Sequence, residues 1–443
     1  MAAPLSGNAL IAQSGGPTAV INAQAYGLIR ELRNHKCIKH IYGADNGILG
    51  VLHEELFDLG NEHEAVLSGL QWTPAAAIGS CRYRVKEADY DRILSVFDAH
   101  DIRYFFYIGG NDSADTALQV FQLAQQKGYP IRVLGVMKTI DNDLVGTDHC
   151  PGYGSAAKYL ATLVREAWLD AQAMATQHQV VLIEAMGRHA GWLAAAAAAA
   201  RRTENDAPHA ILLPERPLKM HRFLVHLEDL LARHKVVLLV VSEGIRDPNN
   251  QLYAELQRGG GSLRQDAFGH KQLGGAAAYL RDEIERHLSI QGTAIAPWWQ
   301  GSLKDAVRAR FNLPGTSQRN AGHFMSKTDR DEAVFLGEAA ARFAVLEGAS
   351  GYTVGFKPRE NFQDPYEARP CLIDLKMVAN QTRYLEDRFI SADGYFVTQQ
   401  FLDYVRPLLQ GRVEIPEDEF GLPNYVKLKK FPLPKKLPPW HGS

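Results

Sequence analysis

Cysteine is scarce. The 443 residues contain four, Cys37, Cys81, Cys150 and Cys371, with no CxxC pair among them. That scarcity argues against a disulfide framework or a zinc ribbon and makes a reducing cytoplasm the default compartment. No stretch of about 20 apolar residues exists, so no transmembrane helix is expected. The opening MAAPLSGNALIAQSGG lacks a basic segment followed by a long apolar one, so no signal peptide is expected either. Excess charge is also missing: the formal net charge of −2 argues against a general nucleic-acid or membrane-surface binder. A Walker A loop and a fixed internal repeat are both absent.

The remainder is ordinary globular sequence, 46% hydrophobic and 22% charged, long enough for two or three domains. Short apolar runs alternate with helical patterns. NALIAQSGG, IRYFFYIGGND, IRVLGVMKTIDND, QVVLIEAMGRHAG, HAILLPE and KVVLLVVSEGI read as strands. TAVINAQAYGLIRELRNH, SADTALQVFQLAQQKG and MHRFLVHLEDLLARH read as amphipathic helices. Such alternation predicts an α/β protein with mostly parallel sheets, doubly wound, whose ligands bind beyond the carboxyl ends of the strands. The alanine run Ala194–Ala200 predicts a tightly packed core helix. Residues 246–275, glycine-rich and polar, predict a loop excursion. The basic, proline-rich tail KLKKFPLPKKLPPW predicts an extended surface arm.

The unusual residues fall at strand ends. FFYIGGNDSADTA stops a buried strand at two glycines and then presents Asn111, Asp112 and Ser113. Paired glycines suit a phosphate, because bare N–H groups bind it, yet a carboxylate follows at once. MKTIDNDLVGTDH presents Lys138, Thr139, Asp141, Asn142 and Asp143. One carboxylate there could take a proton from a hydroxyl while the other helps hold Mg²⁺. On residues alone, that reading and a plain Asp/Asn-rich turn stay evenly open. EAMGRHAGW puts Arg188, suited to a phosphate clamp, at a third strand end, and VSEGIRD puts Glu243 at a fourth. His189 reads as a packed or hydrogen-bonded histidine.

In order, AQSGGPTAVINA, AAIGSCRYR, IGGNDSADTA, KTIDND, PGYGSAAKY, MGRHAGW, VSEG and PGTSQRNAGHFMSKTDRDEA resemble the phosphofructokinase family. The resemblance implies two interlocked doubly wound domains with the active site between them. It places a donor domain at 1–152, completed by a returning segment near 319–373, and a sugar-phosphate domain at 153–318. A C-terminal helical region and arm would fill 374–443. It also implies Mg²⁺-dependent phosphoryl transfer to the 1-hydroxyl of fructose 6-phosphate. Asp141 then matches the catalytic base and Asp143 an Mg²⁺-linked carboxylate. Thr139, Met186, Gly187, Arg188 and Glu243 match the sugar site, and Arg319 of the QR motif matches a holder of the 6-phosphate. Arg310 matches an arginine that a neighbouring subunit donates, implying a homodimer or larger homo-oligomer. Gly15, Gly16, Arg82 and Gly110 match the donor side.

Within that family, ATP-using members carry glycine where Asp112 and Lys138 stand. The resemblance is therefore to the pyrophosphate-using branch: Asp112 fills the place of a third phosphate, and Lys138 can stabilise charge on the departing phosphate. Little free energy separates hydrolysis of the phosphoanhydride in pyrophosphate from formation of the sugar phosphate ester, so transfer is expected in both directions. Use of ATP, or a non-catalytic regulatory role, are the rival expectations. Three departures stand out. Asn111 replaces a common Mg²⁺-linked aspartate, Thr316 replaces a histidine or tyrosine of the sugar-phosphate site, and Gln179 replaces a second cross-subunit arginine.

Overall fold

The computed structural model describes residues 4–256, 275–288 and 307–442. Much of the excursion expected at 246–275 lies outside them. Twelve strands are described: β1 (Gly7–Ser14), β2 (Ile38–Ala44), β3 (Leu56–Asp58), β4 (Ser80–Cys81), β5 (Ile102–Gly109), β6 (Arg132–Met137), β7 (Val180–Ala185), β8 (Ala210–Leu212), β9 (Val237–Ser242), β10 (Ala309–Asn312), β11 (Tyr352–Phe356) and β12 (Pro370–Asp374).

They form two sheets. The larger runs β12-β11-β6-β5-β1-β2-β3, with β4 pairing to the end of β1. Its centre is parallel and its two outermost pairs, β11–β12 and β2–β3, are antiparallel. The smaller runs β10-β7-β9-β8 and is parallel throughout. The inner strands are buried on both faces, which is why β5 reads as the unbroken apolar run Ile102–Gly109 rather than an alternating one. β11 joins β6 although more than two hundred residues separate them; this returning strand completes the first sheet.

Helices cover the sheets. Ile21–Leu32 lies against Lys327–Val345, and the crossing is tight because it is built on two glycines. A Cβ on Gly27 would stand 2.1 Å from Val334 O, and one on Gly337 would stand 2.2 Å from Gln24 O. The alanine run is buried as expected, but it is helical only through Ala196 and then tightens into a 3₁₀ turn, Ala197–Ala200. Its small side chains let it press against helix Tyr153–Ala173.

The C-terminal arm crosses the first sheet's free edge. Asp58 N donates to Phe431 O at 2.9 Å and Leu433 N to Leu56 O at 2.8 Å, so the arm pairs with β3. Trp440 then packs edge-on to His53 and Tyr83.

Candidate active site

Strand ends from both sheets open onto one cleft of about 330 Å³. β1 leads into Gly15 and Gly16, β5 into Gly110, Asn111 and Asp112, and β6 into Lys138, Thr139, Asp141 and Asp143. From the second sheet, β7 leads into Met186, Arg188 and His189, and β9 into Glu243. Arg82, Arg319, Asn380 and Thr382 complete the wall.

The first glycine turn is where three cations meet. Gly15 has φ +76°, a left-handed conformation that glycine adopts without strain. A Cβ there would stand 3.3 Å from Lys138 Nζ; one on Gly16 would stand 2.8 Å from Arg319 Nη1 and 3.5 Å from Arg82 Nη2. Lys138 is 3% exposed, and its ammonium donates to Gly16 O at 2.8 Å. Burial lowers its pKa to about 8; the Asp141 carboxylate pulls it up, while Arg319 and Arg82 push it down. Asp112 sits opposite, in the first turn of helix Asn111–Gln126, where a helix N-terminus favours negative charge.

The acidic side is half-buried. Burial raises the Asp141 carboxyl, opposed by the positive charges of Arg188, Lys138, Arg82 and Arg319. Asp143 is raised to about 7 by burial and by Asp141, and Glu243 to about 7 by the same two causes. Glu243 Oε1 accepts Gly187 N–H at 3.2 Å. Gly187 itself has φ +128°, and a Cβ there would press on Ala190 O at 2.7 Å, so this turn admits only glycine. Arg188 Nε and Arg319 Nε are buried without a hydrogen-bond partner. Such groups suit an anion that brings its own oxygens.

Two contributors were given no role of their own in the sequence. Asn142, between the two aspartates, is fully buried with φ +55°. Its Nδ2 donates to Tyr404 OH at 2.7 Å and its Oδ1 accepts Cys150 N–H at 2.9 Å, which fixes the loop that carries Asp141 and Asp143. Its signal was asparagine's tolerance of left-handed backbone. Gln318, beside Arg319, accepts Met186 N–H at 2.9 Å through Oε1 and so ties the QR segment to the Met186 turn.

The remaining expected residues take the following places. Arg319, expected at the 6-phosphate, is carried on helix Ser317–Asn320 and lines the cleft beside the turn of Gly16. Thr316 does not line this cleft; it borders a neighbouring hollow with Tyr159, His323 and Phe324. Arg310 is on β10, outside the cleft, paired with Asp170. Asn111 lines the cleft, but its Oδ1 accepts Asn380 N–H at 2.6 Å and its Nδ2 donates to Gln381 O, so both ends of the amide grip the 380–382 segment. Gln179 is 1% exposed and points inward, accepting Arg308 N–H at 3.0 Å. His189 lines the cleft. Among the described residues no group of three His, Cys, Asp or Glu side chains is arranged to hold a metal ion alone.

Comparison with known proteins matches this arrangement. Residues 8–291 match the family model described as Phosphofructokinase. A Xanthomonas campestris protein named pyrophosphate--fructose 6-phosphate 1-phosphotransferase is 44% identical, covering 99% of this chain and 100% of its own. A protein of the same name from Halomonas elongata is 41% identical, covering 97% of this chain and 98% of its own. The crystal structure of a pyrophosphate-dependent phosphofructokinase from Nitrosospira multiformis superposes with a TM-score of 0.85 at 38% identity, covering 98% of this chain and 99% of that one. With two mostly parallel sheets meeting at a cleft of glycine turns, aspartates and arginines, the chain belongs to the phosphofructokinase family.

Proposed function

We propose that this protein transfers a phosphoryl group from pyrophosphate to the 1-hydroxyl of D-fructose 6-phosphate, giving fructose 1,6-bisphosphate and phosphate, reversibly. The names of the full-length relatives support the reaction. The observation that carries the choice of donor is Lys138, buried with its ammonium on Gly16 O and facing the Asp112 turn. A donor of two phosphates ends where Asp112 begins; a nucleoside triphosphate would bring a third phosphate against that carboxylate.

Pyrophosphate lies along the Gly15–Gly16 and Gly110 turns, its charge met by Lys138, Arg82 and Arg319. The sugar lies against Thr139, Met186, Gly187 and Arg188, with Glu243 accepting its hydroxyls. Arg310 of a neighbouring copy reaches the sugar phosphate, which makes the working unit at least a homodimer. The 1-hydroxyl oxygen attacks the terminal phosphorus, the bridging P–O bond breaks, and the hydroxyl proton passes to Asp141. Arg188 steadies that carboxylate's charge before transfer and the equatorial oxygens during it. Phosphoryl transfer needs positioning and charge neutralisation more than covalent chemistry.

Mg²⁺ fits the acidic side. Asp141, Asp143 and Asp112 line one cleft, where burial and then the charges of Asp141 and Asp112 raise the Asp143 carboxyl. One or two carboxylates completed by phosphate oxygens is the usual magnesium arrangement. Asp143 and Asp112 would hold the ion, and Asn111, already committed at both ends of its amide, would support the neighbouring backbone. The ion would neutralise charge shared between the two phosphates. Four free thiols suit a cytoplasmic setting.

The decisive experiment supplies purified protein with fructose 6-phosphate and Mg²⁺ and compares pyrophosphate with ATP. Pyrophosphate should support turnover far better. Preference for ATP would overturn the donor assignment; no transfer from either would overturn the reaction.

A further inference from the structure

The C-terminal arm was expected to lie on the surface without chemical consequence. Four of its lysines, Lys427, Lys429, Lys435 and Lys436, are exposed; Lys430 is folded back. Its backbone takes φ +54°, a conformation that costs a non-glycine residue energy and persists only where the surroundings demand it. The surroundings are specific. Lys430 Nζ donates to Asp45 Oδ1 at 2.6 Å and to Ile78 O at 3.2 Å. Its own N–H donates to Glu62 Oε1 at 2.8 Å.

Ile78 stands four residues before Arg82. The segment between them leans on the donor turn from within. Ile78 N donates to Gln13 Oε1 at 3.2 Å, Ser80 Oγ to Gly15 O at 2.7 Å, and Gly15 N to Cys81 O at 3.1 Å. Lys430 closes the outer side. Between the two, Gly79 runs at φ +97° within 2.7 Å, measured from its would-be Cβ, of both Asp45 Oδ1 and Asn46 N. The lysine charge therefore lies between the Asp45 carboxylate and the Ile78 carbonyl, two negative ends that would otherwise face each other across this glycine. An isolated exposed ion pair would carry little. This one is half-buried, takes a backbone carbonyl as well, and sets the segment that delivers Arg82 beside Gly16.

We infer that Lys430 is a positioning residue for the donor site: through Ile78 and Asp45 it holds the backbone that aims Arg82 at pyrophosphate, which makes the C-terminal arm part of the catalytic framework. This inference rests on the pyrophosphate reading above. The sugar side of the cleft, on the second sheet, makes no contact with Lys430 among its hydrogen bonds and ion pairs. Loss of the lysine should therefore divide the two substrates.

The test uses the full chain as wild type, Lys430→Ala and Lys430→Arg. In Lys430→Ala the KM for pyrophosphate should rise about tenfold, as expected for a lost charge-assisted contact, and the KM for fructose 6-phosphate should stay within about twofold. Lys430→Arg should restore most of the pyrophosphate KM. Calorimetric titration of inorganic pyrophosphate without sugar should show the same weakening. An unchanged pyrophosphate KM in Lys430→Ala overturns the inference. So does an equal rise in both KM values that follows a fall in melting temperature, because that is general destabilisation. Wild type that does not use pyrophosphate at all would instead overturn the functional reading, and with it the inference.

Discussion

A lysine at 3% exposure whose ammonium rests on a backbone carbonyl is an uncommon use of the residue, since burial disfavours its charge. Here burial brings the pKa down to about 8, which has a kinetic consequence. The charged form is the useful one, so kcat/KM for pyrophosphate should fall as pH rises through about 8. Lys138→Arg, permanently charged, should move that limb to higher pH; a pH–rate profile of both proteins checks this. Lys138→Gly should lose pyrophosphate activity by roughly 10²-fold, and pairing it with Asp112→Gly should not restore it; kcat/KM for pyrophosphate and ATP in both single variants and the double decides. Asp141→Asn should keep the fold and lose about 10²–10⁴-fold in kcat, and a variant retaining half the activity would refute its role as base. The place of Lys138, Asp112 and Asp141 in the cleft was legible because each sits within a few residues of a strand end. The place of Arg319 was not, because it depends on how a distant helix returns across the cleft.

The loop 139–143 shows how an element, rather than a residue, makes the site. Two aspartates of like charge are held in one half-buried loop, and the asparagine between them pins it to Tyr404 and to Cys150 N. Asn142→Ala should remove both bonds and place a residue less tolerant of φ +55° in the turn. It should cost about 2–4 kcal/mol of stability and lower kcat with little change in either KM; thermal melts alongside steady-state kinetics read both. At this scale the apolar runs and glycine stops made the strands β1, β5, β6, β7, β8 and β9 readable. Less was readable where long-range packing decides. Nothing local marks β11 as the partner of β6, or turns the alanine run from α to 3₁₀ at Ala197, or pairs a proline-rich tail with β3.

Across the whole molecule, a buried charge cluster joins the first sheet to the long helix Lys327–Val345. His149 bonds Asp148 through Nδ1 at 2.9 Å and Glu332 through Nε2 at 2.8 Å, and Arg359 closes on Asp148. Burial opposes charge on His149, but Glu332 and Asp148 outweigh it and raise the pKa from 6.5 to about 9. A raised pKa contributes stability that is complete below the unfolded value and lost as pH climbs through the folded one. The melting temperature should therefore fall between about pH 6.5 and 9, by the equivalent of on the order of 3 kcal/mol, and His149→Gln should flatten that slope. Arg310, outside its own cleft, bears on assembly: sedimentation and activity followed over one dilution series should decline together, and full activity in a monomeric sample would remove the need for a neighbour's arginine.

The pairing of Phe431 and Leu433 with β3 also sets an order of events during synthesis. β1, β2, β3 and β5 emerge early, yet β11 and then the arm, which complete the same sheet, emerge near the end. Until then the ribosome carries a chain with open strand edges, the kind of surface that recruits other chains. A message cut short before Phe431 would lose few residues and almost none of the cleft. Its product would still leave the edge of β3 bare, so it should accumulate as insoluble protein rather than as a slow enzyme.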